Sequence, residues 1–331
     1  MNPKVNQRRK HHGAYRLWMV RICISGLLLF LVPLCAGASE LVLGAGKAGT
    51  FSNFTARLVC RILSSRLPET SCSIQAVNDE IDSLTNLQNG SIDLALVDSQ
   101  TLYNAATGSG DFRFVGIRYD NLAVLMPLYD RPIGIVVRRD AKIATLDDLR
   151  DKRINGGALG SEQRQVMEMI MTAKGWTEGD FEVFQELPSS HSQDTMVFCH
   201  GTVQAMVTIG VHPDSSVERL LHNCRAALLP IGDPAIDKLV AARPFLWRTE
   251  IRAASYPAHS RQVSTFGTRM ILAAPADMDE RSAGEIVRAL QESKKRLAGG
   301  HPALGLLSPE EASGGMEKPA LHQGAARYFG K

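Results

Sequence analysis

Between residues 41 and 273 short apolar runs alternate with stretches of helical periodicity, a rhythm that a sheet flanked by helices accommodates. The run 41–43 reads as a strand that breaks in the turn from Gly44 to Thr50. A helix then carries Phe54, Leu58 and Ile62 on one face and ends at Pro68. Residues 73–77 read as the next strand. Asn78-Asp79 cap a helix bearing Ile81, Leu84 and Leu87, which Asn89-Gly90 stops. Residues 92–97 form a third strand that leads through Asp98-Ser99-Gln100 into another helical stretch. Such spacing predicts a parallel sheet with right-handed crossovers.

The run 133–137 is apolar and β-branched, as a buried strand requires, and it enters the charged triplet Arg138-Arg139-Asp140. Thr145 can cap a short helix over 146–149, with Asp147 and Asp148 in its first turn. A short run at 152–155 ends at Gly156-Gly157, and Gly160-Ser161 opens a further helix. This stretch reads as a bridge out of one α/β lobe into a second. The alternative is an ordinary strand–helix–strand unit within one domain.

Beyond it the scheme repeats, with a helix over 162–173 ended by Gly175 and a strand over 181–184. A helix over 189–198, a strand over 204–209, a helix around 217–221 and a strand over 226–229 follow. After a helix near 236–241 comes an irregular passage containing proline. Residues 269–273 read as a return strand into the first lobe, followed by a charged helix over 283–297 and a polar, glycine-rich tail. The expected architecture is α/β and two-lobed, each lobe a mostly parallel sheet flanked by helices, with a hinge between. Lobe I takes 39–137 and 266–331, and lobe II takes 138–265.

Residues 1–38 are set apart by their charge. Lys4, Arg8, Arg9, Lys10, Arg16 and Arg21 precede the apolar run 22–34, and Ala36-Gly37-Ala38 supplies small residues before Ser39. That order predicts a cleaved secretory signal peptide and a periplasmic, soluble mature chain. The apolar run is short for a membrane span, although an uncleaved anchor is the competing reading. The whole chain carries a formal +3, and the six cations of the leader leave −3 on the remainder. Nothing in that balance points to nucleic acid.

Four cysteines follow the leader. In an exported chain they predict two disulfides, Cys60–Cys72 and Cys199–Cys224, each joining neighbouring elements of one lobe. Free buried thiols are the competing reading, and no Cys or His spacing suits a metal.

The turn Gly44 to Thr50 fits G-x-G-x-x-G, but no acid stands where a dinucleotide site needs one, and no cofactor is expected. Polar residues follow strand after strand, at Lys47 to Ser52, Asn78-Asp79, Asp98-Ser99-Gln100, Ser161 to Arg164 and Thr208. In open α/β sheets ligands bind beyond the strands' carboxyl ends, so two facing lobes would enclose one cleft. Each of these residues can also serve simply as a helix cap. His191, His200, His212, His222 and His259 are scattered, the acids show no notable pair, and no nucleophile motif occurs, so an enzyme is not expected.

The chain resembles the extracytoplasmic solute-binding receptors of TRAP transporters of the TAXI family. The resemblance rests on the glycine-rich first turn, on LYDRPIGIVVRRDAKIATLDDLRDKRING, on G-S-E-Q-R from Gly160, and on VTIGVHPDSSV from Val207. FCHG, HNCRA, HPA at His301 and ALHQGAARYF near the end also fit. It implies a type II periplasmic-binding-protein fold closing on a small organic acid such as glutamate or 2-oxoglutarate. Delivery would be to an ion-gradient-driven TRAP permease by a monomeric receptor; a ligand sensor signalling to a membrane partner is the alternative. It places Lys47, Ala48, Gly49, Thr50, Ser52, Ser99, Gln100, Ser161, Gln163 and Arg164 along the cleft, with Tyr129 and Thr208 beside them.

This sequence departs from the family's pattern at several of these positions. Lys47 intrudes into the small first turn, Phe51-Ser52-Asn53-Phe54 replaces an aromatic segment with proline, and Glu162 stands for a glycine. Asp130-Arg131 replaces the usual Pro-Glu pair. Lys47 and Arg164 are therefore expected to meet ligand carboxylates, and Glu162 either to orient Arg164 or to meet an amino group.

Overall fold

The computed structural model describes residues 39–114, 116–186, 196–257, 261–305, 311 and 316–330. Residues 1–38, expected as a leader, and most of the helix expected over 189–198 lie outside the described residues.

The first lobe opens with β1 (Ser39–Ala45), α1 (Phe51–Arg66), β2 (Thr70–Ala76), α2 (Glu80–Gln88), β3 (Leu94–Asp98) and α3 (Ser99–Thr107). Each helix is started by the polar residue that ends the preceding strand or turn: Thr50 caps α1, Asp79 caps α2 and Asp98 caps α3. β1 lies parallel to both β2 and β3.

β4 (Ala123–Arg138) then runs for 16 residues, almost entirely buried. It extends well N-terminal of the expected 133–137. From Ala123 to Pro132 it lies antiparallel to β10 (Val263–Ala274), and from Ile133 to Val137 antiparallel to β7 (Ala205–Ile209). One strand thus serves both lobes.

The chain continues through β5 (Arg153–Asn155), α4 (Glu162–Lys174), β6 (Val183–Gln185), α5 (Ser215–Asn223), β8 (Ala226–Leu228), α6 (Pro234–Ala241) and β9 (Trp247–Ile251). Thr145 and Asp148 form the capping box of the short 146–149 helix, and Gly175 ends α4 in the left-handed region. The strand order is β2-β1-β3-β10-β4-β7-β5-β6, with β8 beside β4 and β9 beside β10. The expected parallel sheet is therefore mixed, because β4 and β10 run against their neighbours.

The chain returns through β10, whose start pairs with β9 and whose end pairs with β3. Gly267 stands where β10 passes β4: a Cβ there would lie 2.2 Å from the Arg131 carbonyl oxygen, so no side chain fits. The expected charged helix divides at Ser293 into α7 (Glu280–Glu292) and α8 (Lys294–Gly300). The polar, glycine-rich tail ends in a helix, α9 (Gln323–Phe329), with Leu321 bridged to Val124 and Gly324 packed against the Glu280 carbonyl.

One apolar cluster runs through both lobes along one face of the sheet, joining Leu84 and Val97 to Ile135, Ile154 and Ile170. A second, around Leu63, Leu128 and Leu290, belongs to the first lobe, and a third, around Val136, Phe198 and Leu220, to the second. The disulfides Cys60–Cys72 and Cys199–Cys224 are formed, with Cα atoms 4.9 and 4.7 Å apart. They tie α1 to β2 and the helical residues 196–199 to the end of α5.

Candidate functional site

β3 ends on Asp98, buried where it meets α3. One carboxylate oxygen accepts the Gln100 N–H at 2.8 Å and caps the helix. The other accepts from Arg131 Nη1 at 2.6 Å and from the Thr268 hydroxyl. Arg131 and Thr268 face each other across β4 and β10, one residue before β4 exchanges β10 for β7.

The guanidinium also reaches the second lobe. Its Nη1 and Nη2 donate to the two carboxylate oxygens of Glu162, at 3.2 and 2.8 Å, a bidentate pair. Glu162 is the first residue of α4, set there by the Ser161 cap, and its side chain is 57 % exposed against 5 % for Asp98. Burial alone would lower the Arg131 pKa, but Asp98 and Glu162 reverse this and hold it well above the ordinary value.

Glu80, first residue of α2, lies close to this pair. Burial and the negative charge of Asp98 push its carboxyl up to about 7, against the opposing pull of Arg131 and a hydrogen bond from Thr101. Between α2, α3 and α4 these groups border a cavity of about 430 Å³, whose acids are Asp79, Glu80, Asp98, Asp111 and Glu162. Ile133, Val166, Met169, Ile209 and Leu246 supply apolar wall, and Gln100 reaches Gln165 across the opening at 3.5 Å. The volume and the mixture of apolar wall with a few polar groups suit a small-molecule site. Among the described residues no cluster of His, Cys, Asp or Glu is arranged to hold a metal ion.

Of the residues expected to hold ligand, Gln100 lines this cavity. Lys47, Ala48, Gly49 and Thr50 form an exposed turn, closed by the Thr50 N–H and hydroxyl on the Lys47 carbonyl. Ser52 accepts the Gly46 N–H at 3.4 Å. Ser99 is buried, donating to the Phe245 carbonyl and accepting from the Arg269 N–H. Tyr129 is buried edge-on against Phe51, with ring centroids 5.0 Å apart. Ser161 caps α4, and Gln163 is half-buried beside Gly157. Thr208 donates to the Gly134 carbonyl at 3.3 Å.

Arg164 is committed within its own lobe. It pairs with Glu168, Glu178 and Glu186 and stacks over Phe184. Glu162 holds Arg131 rather than Arg164, so of the two roles expected of it the orienting of Arg164 is not the one formed. In the sequence Asp98 stands only among the polar residues that follow strands and Arg131 only as a departure from the resembled pattern, while nothing marks Glu80. A signal was present: a family glutamate replaced by Arg131 and a family glycine replaced by Glu162 are complementary changes.

The strand order, the two crossing strands and the cleft beyond the strands' carboxyl ends define a two-lobed protein of the periplasmic solute-binding fold. Within that class, the chain belongs to the NMT1-like family, whose model matches residues 43–330. Solved structures share the fold at low identity. A TctC solute-binding protein from Polaromonas is 14 % identical with a TM-score of 0.55, over 77 % of this chain and 84 % of that one. The probable amino-acid transporter extracellular-binding protein ytmK of Bacillus subtilis is 13 % identical with a TM-score of 0.51, over 81 % and 99 %. A Xanthomonas citri protein bound to ATP is 12 % identical with a TM-score of 0.51, over 88 % and 98 %.

Proposed function

We propose that the chain is an extracytoplasmic receptor that captures a small solute between its lobes and presents it to a membrane permease. The observation that carries this reading is the cavity itself, at the carboxyl ends of strands in an open α/β sheet and bridged from lobe to lobe by Arg131 and Glu162. The lobes divide as 39–137 with 266–331 and 138–265, and β4 and β10 form the hinge between them. Two disulfides and the basic, then apolar, order of residues 1–38 support export to the periplasm. No helix among the described residues is long and apolar enough to cross a membrane. The resemblance to TAXI receptors supports an ion-gradient-driven TRAP permease as the partner. It also carries a small organic acid as cargo, to which the lining of this cleft is poorly suited.

Small-angle scattering of the purified protein, before and after denaturation and refolding to remove carried-over solute, tests the reading. A receptor expands on stripping and contracts again when its extract is returned. An unchanged radius, with no small molecule in the extract by mass spectrometry, would remove it.

A further inference from the structure

We infer that the captured solute is an organic cation, an ammonium or guanidinium group on an apolar body; this rests on the receptor reading above. Five carboxylates border the cavity, and Arg131 is the one basic residue among the described residues lining it. Arg131 is not available to an incoming acid: Asp98 holds it from one lobe and both oxygens of Glu162 hold it from the other. A ligand carboxylate would have to displace Glu162 and then share the cavity with that carboxylate and those of Asp79 and Asp111, which disfavours it.

A cation meets the opposite situation. The Glu162 carboxylate is 57 % exposed, so it retains lone pairs for a second donor while still holding Arg131. Glu80, at the start of α2, borders the same space from the first lobe. Opposite the acids, Ile133, Val166, Met169 and Ile209 offer hydrocarbon, which a fully hydrated metal ion would waste and an alkyl or aryl body would cover. The cations placed by resemblance against a ligand carboxylate are engaged elsewhere. Arg164 is paired with three glutamates, and Lys47 stands exposed in a turn that does not line the cavity.

The test pairs ligands of similar body and opposite charge: hexylamine, phenethylamine and agmatine against hexanoate, phenylacetate and glutarate. Thermal unfolding and calorimetry of the solute-stripped protein are read for each. The expected result is a rise in melting temperature with one or more cations and none with the acids. Binding should weaken at least tenfold in Glu162→Gln and in Glu80→Gln, and Glu162→Asp should restore part of it. Selective binding of an acid, lost in Arg131→Lys, would overturn the charge assignment and leave the receptor reading standing. If none of the six binds, the solute extracted from the native protein decides. A cation sustains the inference, and an acid or a neutral compound overturns it. No extractable solute and no binding would overturn both readings.

Discussion

Arg131 Nη2 lies 2.8 Å from Glu162 Oε2, and through that contact the strand shared by the lobes holds the first turn of α4. The same guanidinium neutralises Asp98, so its two partners make different demands on it. Asp98 is buried and depends on Arg131, whereas Glu162 is largely hydrated and does not.

The first prediction follows from that asymmetry. Arg131→Met strands a buried carboxylate and should cost about 3–5 kcal/mol in urea unfolding. Glu162→Gln should cost under about 1 kcal/mol, as for an exposed pair. Equal losses in the two variants would contradict the assigned roles.

Glu80 gives the second. Its folded pKa of about 7 stands above the ordinary carboxylate value, so the protonated form favours folding. That contribution is complete below the unfolded pKa near 4.5 and is lost as pH rises through 7. Asp98 and Arg131 face the group with opposite effects, and Thr101 and the Asp98 backbone hydrogen-bond to it. Glu80→Gln should match the parent at pH 4 and exceed it by the order of 1–3 kcal/mol at pH 8. Parallel stability curves from pH 4 to 8 would refute this.

The third concerns export. The loops closed by Cys60–Cys72 and Cys199–Cys224 span sequence separations of 12 and 25, and each bridge should add about 3 kcal/mol by restricting the unfolded chain. Dithiothreitol should therefore lower the melting temperature, and Cys199→Ser with Cys224→Ser should reproduce about half of the loss.

Arg164 supplies the fourth. Arg164→Ala removes three ion pairs and the stack on Phe184, and should cost about 1–2 kcal/mol through lost packing and charge-assisted hydrogen bonds. Affinity for the extracted solute should stay within about twofold. A tenfold loss at unchanged stability would return Arg164 to the cleft.

What the sequence made legible was local. The strand–helix rhythm, the Thr145–Asp148 capping box, the Gly175 stop and the Ser161 cap each lie within a few residues, and the structure contains them all. The first half of β4 was hidden by Pro127 and Asp130, residues that argue against a central strand. The sheet accepts them through register shifts against β10 on either side of Ile271 and Leu272, and through Arg269, which pairs with Asp130 at 2.9 Å. β9 alternates Trp247, Thr249 and Ile251 with charged residues, but flanking prolines made it read as irregular. The tail helix depends on Gly324 meeting a backbone carbonyl 44 residues away, which no local pattern records. The centre of the site was largely hidden for the same reason, the paired departures at Arg131 and Glu162 being its one trace in the sequence. Asp98, Arg131, Glu162 and Thr268 are far apart in sequence and meet only because β10 lies between β3 and β4 and α4 starts within reach of Arg131.

The passage of β4 from β10 to β7 has a mechanical consequence. β4 is hydrogen-bonded to β10 as far as Pro132 and to β7 from Ile133, so in the proposed cycle this one strand is the flexure, and the exchange of partners is the point about which the lobes would turn. Arg131 and Thr268 sit beside that exchange, where a turn would produce least travel, whereas α4 would ride farther out. In the proposed cycle Asp98, Arg131 and Thr268 would then keep their mutual spacing through opening and closure. Glu162 would be the member whose distance reports the angle.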